Sequence, residues 1–270
     1  MDDLYKEGQY TMTRNSEITK FKIVVIEWLR PNDRKTGKEL YDDVLQYKHI
    51  SNSNVTSIYY SCSSKTKFCQ SFKKIEDELE DGEIVTLQIE SHGDVNGIGT
   101  NQENIISWKD FYDLIRPINI KICGLLFVCL SLCTSISCIS YIDPYKRAPY
   151  LAMIATRRKM FPDELYGAFS AFYEKYNNIL DIKAFEQLTK EVKDTNGHPT
   201  FIMFKAEDIF DLTIDPNRDP ENTNHLLNTC YNQGKLHNPQ YTFEDAKRDL
   251  KRIFDELKTH RDYFSFKDKR

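Results

Sequence analysis

The sequence contains no apolar stretch long enough to cross a bilayer. Its longest, Gly124 to Ile139, is broken by Ser131, Thr134, Ser135 and Ser137 and falls short of the roughly 18 to 20 apolar residues that a spanning helix requires. An excess of positive charge is also missing. The formal net charge is −4, so no overall basic field exists to hold a phosphate backbone, and nucleic acid is not an expected partner. The first 20 residues are polar with acids early, unlike the basic and then apolar segments of a secretion signal, and the expected location is the cytoplasm. There is no paired C-x2-C element, no G-x-x-x-x-G-K-[ST] loop and no G-x-G-x-x-G turn around Gly93, Gly97 and Gly99. Those absences leave no expected metal site, nucleotide or cofactor. Internal repeats and low-complexity segments are lacking too.

What is present is material for a core. Of the 270 residues 40% are hydrophobic and 13% aromatic, including 16 Tyr and 16 Phe, far from the composition of a disordered chain. The seven cysteines are an odd number, and Cys123, Cys129, Cys133 and Cys138 crowd into one segment. That spacing suits neither a disulfide framework nor a tetrahedral zinc site, so they read as reduced thiols.

Strand and helix patterns alternate. Lys22–Leu29, Asn54–Ser61, Glu83–Ser91, Leu125–Leu132, Ala148–Thr156 and Thr200–Ala206 read as strands, and the first ends in the Pro31-Asn32-Asp33 turn. Between them, helices are expected after the capping-box pattern at Thr36, over Phe68–Glu80, after Ser107, after Phe161-Pro162, and from Asp181 through Leu188. This order predicts an α/β fold with a mostly parallel sheet covered by helices on both faces. Three regions are expected: a polar leader over 1–20, the α/β domain over 21–214, and an extension over 215–270. In the extension, Asp215 to Tyr241 shows little periodicity and reads as loop, and an amphipathic helix follows with Phe243, Ala246, Leu250, Ile253, Phe254 and Leu257 inward.

Two strand ends carry candidate chemistry. In "IVTLQIESHGDVNGIG" a strand stops at His92-Gly93, and in "GLLFVCLSLCTS" another gives way after Cys133. Reactive groups gather beyond the carboxyl ends of strands in open α/β sheets, so parallel neighbours would bring His92 and Cys133 to one edge. A thiol needs a base to supply enough thiolate at neutral pH, and imidazole serves. Alternation places Cys129, Ser131 and Cys133 on one side of the strand, so parity cannot choose between the two thiols; position can, since Cys129 lies mid-run and Cys133 at its end. Gly93 lacks a side chain, so its N–H can face a developing oxyanion beside that of Cys133. The plain alternatives are a strand-end histidine bonded to backbone and a cysteine packed as a small apolar residue. Glu90, Asp94 and Asp143 are candidate specificity acids and Arg157 and Arg158 candidate specificity bases, each with surface charge as its alternative. His198, His225, His237 and His260 fall in loops or near helix ends and are assigned no role.

The succession of strand-His-Gly, "ISWKDFYDLI", "LLFVCLSLC", "APYLAMIAT" and "FPDELYGAFSAFY" resembles the caspase-like cysteine peptidases of the CHAT type, in the clan of caspases, metacaspases and separases. The resemblance covers roughly Ile23 to Phe210. It implies a caspase-like sandwich that hydrolyses peptide bonds with a Cys-His dyad: His92 as base, Cys133 as nucleophile, and the Gly93 and Cys133 amides as oxyanion hole. It implies a protein substrate as partner. Several bacterial relatives act in antiviral defence, some by cleaving a gasdermin-like pore-former. The chain departs from many members beside the nucleophile, with Leu132 before it and Thr134-Ser135 where a glycine is common. That departure sustains a second expectation, a catalytically silent scaffold that binds a partner protein.

Overall fold

The computed structural model describes residues 20–80, 82–133, 135–176, 182–215 and 220–269. The sheet is built from β1 (Lys20–Trp28), β2 (Val55–Ser61), β3 (Glu83–Gly93), β6 (Phe127–Ser131), β7 (Ala152–Thr156) and β8 (Phe201–Lys205), in the order β2-β1-β3-β6-β7-β8. Every pairing along it is parallel except that of β7 with β8. The central strands are apolar on both faces, as parallel strands covered on both sides must be. In β1 the side chains of Val24, Ile26 and Trp28 enter one core cluster and those of Ile23 and Val25 the other, the period-2 alternation of a pleated strand.

The first cluster lies under α3 (Lys65–Glu78), α4 (Trp108–Lys121), α7 (Ala206–Ile214) and α9 (Phe243–Thr259), through Phe72, Phe111, Phe210 and Phe254. Under the other face lie α1 (Thr36–Asp43), α5 (Pro162–Lys175) and α6 (Ile182–Glu191), through Leu40, Phe172 and Phe185. Helices thus cover both faces of a mostly parallel sheet, as the alternating pattern implies. Ser107 caps α4 by accepting from the Asp110 amide at 3.1 Å, and Pro162 occupies the first turn of α5.

Two local expectations fail, at Thr36 and over 215–241, and two further elements appear. Thr36 does not cap α1, whose side-chain cap is absent; its hydroxyl donates instead to Glu90 at 2.8 Å. The glycine- and asparagine-rich loop after Gly93 forms a hairpin, β4 (Gly97–Gly99) and β5 (Ile105–Ser107), because a Cβ at Gly97 or Gly99 would lie within about 2 Å of the opposing carbonyls. A short helix, α2 (Lys48–Ser51), precedes β2. Most of the expected loop over 215–241 is α8 (Pro220–His237), which contains His225 and His237. Its few apolar residues pack on α9 and the core, Leu227 buried and Tyr231 5.5 Å from Phe243 between ring centroids, so tertiary contact outweighs an Asn-rich composition. The chain closes with α10 (Arg261–Phe264). Phe264 and Phe266 are buried there, and Asp268 pairs with Arg147 at 2.7 Å. Residues 1–19 of the expected leader, Thr134, and the expected start of α6 at Asp181 lie outside the described residues.

Candidate active site

Strand β3 outruns its neighbours. Its pairing with β1 ends at Trp28↔Ser91 and its pairing with β6 at Glu90↔Ser131. The last residues of β3 are held instead by the hairpin, His92 opposite Gly99 and Gly93 opposite Ile98. Two positions beyond the final β3–β6 pair stand His92 and Cys133, on the face shared by Gln88, Glu90 and Cys129. Gly93 shows how closely the ends approach. A Cβ there would lie 2.4 Å from Leu132 Cδ1 and 2.7 Å from the Cys133 carbonyl oxygen, so only glycine fits, whatever its amide does. Thr156, at the end of β7, donates its hydroxyl to the Leu132 carbonyl at 3.3 Å, tying the next strand to the residue before Cys133.

Cys133 is a half-buried free thiol. No hydrogen bond joins it to His92 among the described residues. The imidazole is bonded to a carboxylate: His92 Nε2 lies 2.7 Å from Asp33 Oδ2, with the histidine side chain 42% and the aspartate 27% exposed. A carboxylate only accepts, so Nε2 carries the proton and the Nδ1 lone pair is left free. Asp33 sits in the turn after β1 and also accepts from the Arg30 amide at 2.8 Å. Partial burial pushes its carboxyl up, but the bond from His92 and the Arg30 amide outweigh that and hold it below its ordinary 3.8. Arg30 Nε in turn donates to the Thr100 carbonyl at 2.7 Å, joining this turn to the β4–β5 hairpin.

Asp33 escaped the sequence reading as a functional residue. The available signal was its place: the turn after the first strand opens at the same carboxyl edge as His92 and Cys133. Three of the other thiols, the buried ones, are poorer nucleophiles. Cys129 and Cys138 are fully buried, and burial pushes each up to about 12; Cys62 is pushed up to about 11.

The candidate specificity residues disperse. Glu90 is 2% exposed beneath His92, so neither a pocket acid nor a surface charge describes it; Thr36 and Gln88 hold it inside the fold. Asp94 closes the β3–β4 turn by accepting from the Asn96 amide at 2.7 Å, and Asp143 closes another by accepting from Tyr145 at 3.0 Å. Arg157 Nε is bonded to the Phe201 carbonyl at 3.0 Å, and Arg158 is paired with Glu164 at 2.7 Å. The structure does not bring these five together around Cys133. Among the described residues no group of three or more His, Cys, Asp and Glu could hold a metal ion, and no helix is long and apolar enough to cross a membrane.

No protein-family profile and no curated protein matches the sequence. Solved structures do match. The Drosophila initiator caspase Dronc superposes with a TM-score of 0.51 at 9% identity, over 73% of this chain and 82% of that one. A secreted C11 cysteine protease from Bacteroides thetaiotaomicron, iotapain, gives 0.49 at 9% identity, over 73% of this chain and 69% of that one. The likeness to Dronc identifies the architecture: a caspase-like α/β fold, its mostly parallel central sheet flanked by helices.

Proposed function

We propose that this protein is a caspase-like cysteine endopeptidase of the CHAT type in which Cys133 and His92 form the catalytic dyad. The observation that carries the reading is the strand register. Two positions past Glu90↔Ser131, two adjacent strand ends offer a half-buried thiol and an imidazole whose Nε2 is already bonded to a carboxylate. His92 Nδ1 takes the Cys133 proton, the thiolate attacks the scissile carbonyl, and the Gly93 and Cys133 amides receive the oxyanion. Protonated His92 then gives its proton to the leaving amine. Water attacks the acyl-enzyme with His92 as base, releasing the acid and restoring the thiol. Asp33 keeps the imidazole in the tautomer that presents Nδ1 to sulfur and stabilises the imidazolium. The fold shared with Dronc supports the same chemistry.

The resemblance to bacterial CHAT-type relatives supports a cytoplasmic role in antiviral defence or programmed cell death, with a protein substrate such as a gasdermin-like pore-former. The test is proteome cleavage: incubate the full chain, and its Cys133→Ala form, with a bacterial lysate and map new N-termini by amine labelling. New termini sharing a sequence pattern, made by the wild type and not by the variant, are expected. Identical termini from both forms would leave the scaffold reading in its place.

A further inference from the structure

Beneath His92 lies a pair of acids without a cation. Glu27 and Glu90 are register partners on β1 and β3, and each is 2% exposed. Among the described residues neither carboxylate has a Lys, Arg or His side chain in ion-pair contact. Their hydrogen bonds are unequal. Glu27 accepts from the Gly37 amide at 2.8 Å and the Lys38 amide at 3.4 Å, both in the first turn of α1, and from the Tyr59 hydroxyl at 2.6 Å. Glu90 accepts from the Thr36 hydroxyl at 2.8 Å and the Gln88 side-chain amide at 2.7 Å, and its register partner Ser131 turns a hydroxyl towards it. Three donors, two of them helix-terminal amides, favour an anion at Glu27. Glu90 has only side-chain donors and none at a helix terminus, and two neighbouring buried carboxyls without a counter-ion cannot both ionise at low cost.

These acids also seat a helix. A Cβ on Gly37 would lie 2.7 Å from Glu90 Cγ and 3.1 Å from Glu27 Oε1, so the start of α1 rests directly on both side chains. The residues leading into that start include Asp33, the partner of His92. We propose that Glu27 and Glu90 share one proton, Glu27 holding the charge and Glu90 the proton, and that this pair is the seat that positions Asp33 against His92. Its catalytic consequence rests on the reading of His92 as base; the pair itself does not.

Other ionisable groups face the pair from the packed elements: Tyr59 from β2, Cys129 from β6 and Tyr173 from α5. Burial pushes all three up, Cys129 to about 12, so they stay neutral through the physiological range. Glu90 is the group that titrates there. Burial lifts its carboxyl from 4.5 to about 7, and the bonds from Gln88, Thr36 and Ser131 offset this only in part. Because the folded value is raised, the stabilisation is complete below about 4.5 and is lost as pH rises through about 7. Above that, two buried charges repel, the seat of α1 loosens, and the Asp33–His92 bond weakens.

Infrared and NMR spectra of the full chain test this without calling on catalysis. Wild type is expected to show a protonated-carboxyl stretch at pH 6 that disappears with a midpoint near 7, and Glu90→Gln to lack it. In imidazole-labelled protein, the bonded His92 Nε2 proton should fade as pH passes 7 and persist to a pH higher by about one unit in Glu90→Gln. Thr36→Val keeps the carboxyl band but should lose the His92 proton at lower pH, because the tie from α1 to Glu90 is cut. A wild type without the titrating band, or a His92 profile identical in wild type and Glu90→Gln, overturns the proposal. Expected spectra alongside His92-independent alkylation of Cys133 would remove the dyad and leave the pair standing.

Discussion

The two faces of the central sheet end differently at its carboxyl edge. Under α3 and α4 the strands stay apolar nearly to their tips: Trp28, Ile89, Leu130 and Leu132 are buried beneath Phe68, Phe72, Trp108 and Phe111, and Ser91, the one polar residue at the end of β3 on this face, donates to the Trp28 carbonyl at 2.9 Å. Under α1 and α5 the apolar floor of Ile23, Val25, Cys129 and Ile154 gives way to Glu27, Gln88 and Glu90, and then to His92 and Cys133. The same strands build both faces, and only side-chain parity separates them. A polar shelf inside a sheet is tolerated where its charged and amide groups find partners. Here Tyr173 donates to Gln88 at 2.9 Å, Gln88 to Glu90 and Tyr59 to Glu27. One face is thus almost wholly apolar, and the other gives up apolar area to polar groups that lead to the proposed dyad at its rim.

The sharpest break of that comparison is to strip the reactive rim. His92→Ala should slow acylation by a peptidyl electrophile by roughly 10²–10⁴-fold, measured as the rate of adduct formation, while thermal stability changes little at this partly exposed position. On the opposite face the balance should invert. Phe111→Ala is expected to lower stability by about 3–5 kcal/mol, read from the denaturant midpoint, yet leave acylation per folded molecule unchanged. Activity lost in folded Phe111→Ala would mean the faces are not independent.

Gly93→Ala probes the line between them. Its methyl would press on Leu132 and the Cys133 carbonyl, so a stability loss of about 1–3 kcal/mol should come with slower acylation; a fully stable variant would contradict the close approach of the strand ends. Asp33→Asn should reduce acylation about tenfold, equivalent to about 1.4 kcal/mol. It also has a pH signature. The Asp33 carboxyl is held below its ordinary 3.8 in the fold, so its contribution is present above that value and lost as pH falls through the folded one; wild type and variant should converge in acid melts. The smallest effect belongs to Cys129→Ala, about 1 kcal/mol of stability with acylation intact.

Much of this arrangement was legible in the sequence because it follows from period. β-branched runs gave the strands, and the near-continuous apolar character of Leu125 to Leu132 placed that segment in the sheet's interior. The same alternation put Cys129 and Cys133 on one face, where burial now separates them: Cys129 is enclosed under Tyr173, while Cys133 is half-buried at the tip. What escaped depends on contacts between distant segments. Thr36 has the form of a helix cap, but Glu90, 54 positions away, takes its hydroxyl. Asp33 looks like a turn residue until β3 overshoots β1 and brings His92 beside it. Glu90 reads as a surface acid in the sequence, since nothing local announces that α1 will cover it. α8 was hidden for the same reason, its helix resting on packing against α9 rather than on its own pattern.

The dyad is tested most directly by the alkylation rate of each thiol in the native chain at neutral pH, resolved by mass spectrometry in wild type and His92→Ala. Selective labelling of Cys133 in wild type, falling to the rate of an ordinary exposed thiol in His92→Ala, is the expected result. Equal rates at Cys133 in the two proteins would contradict it.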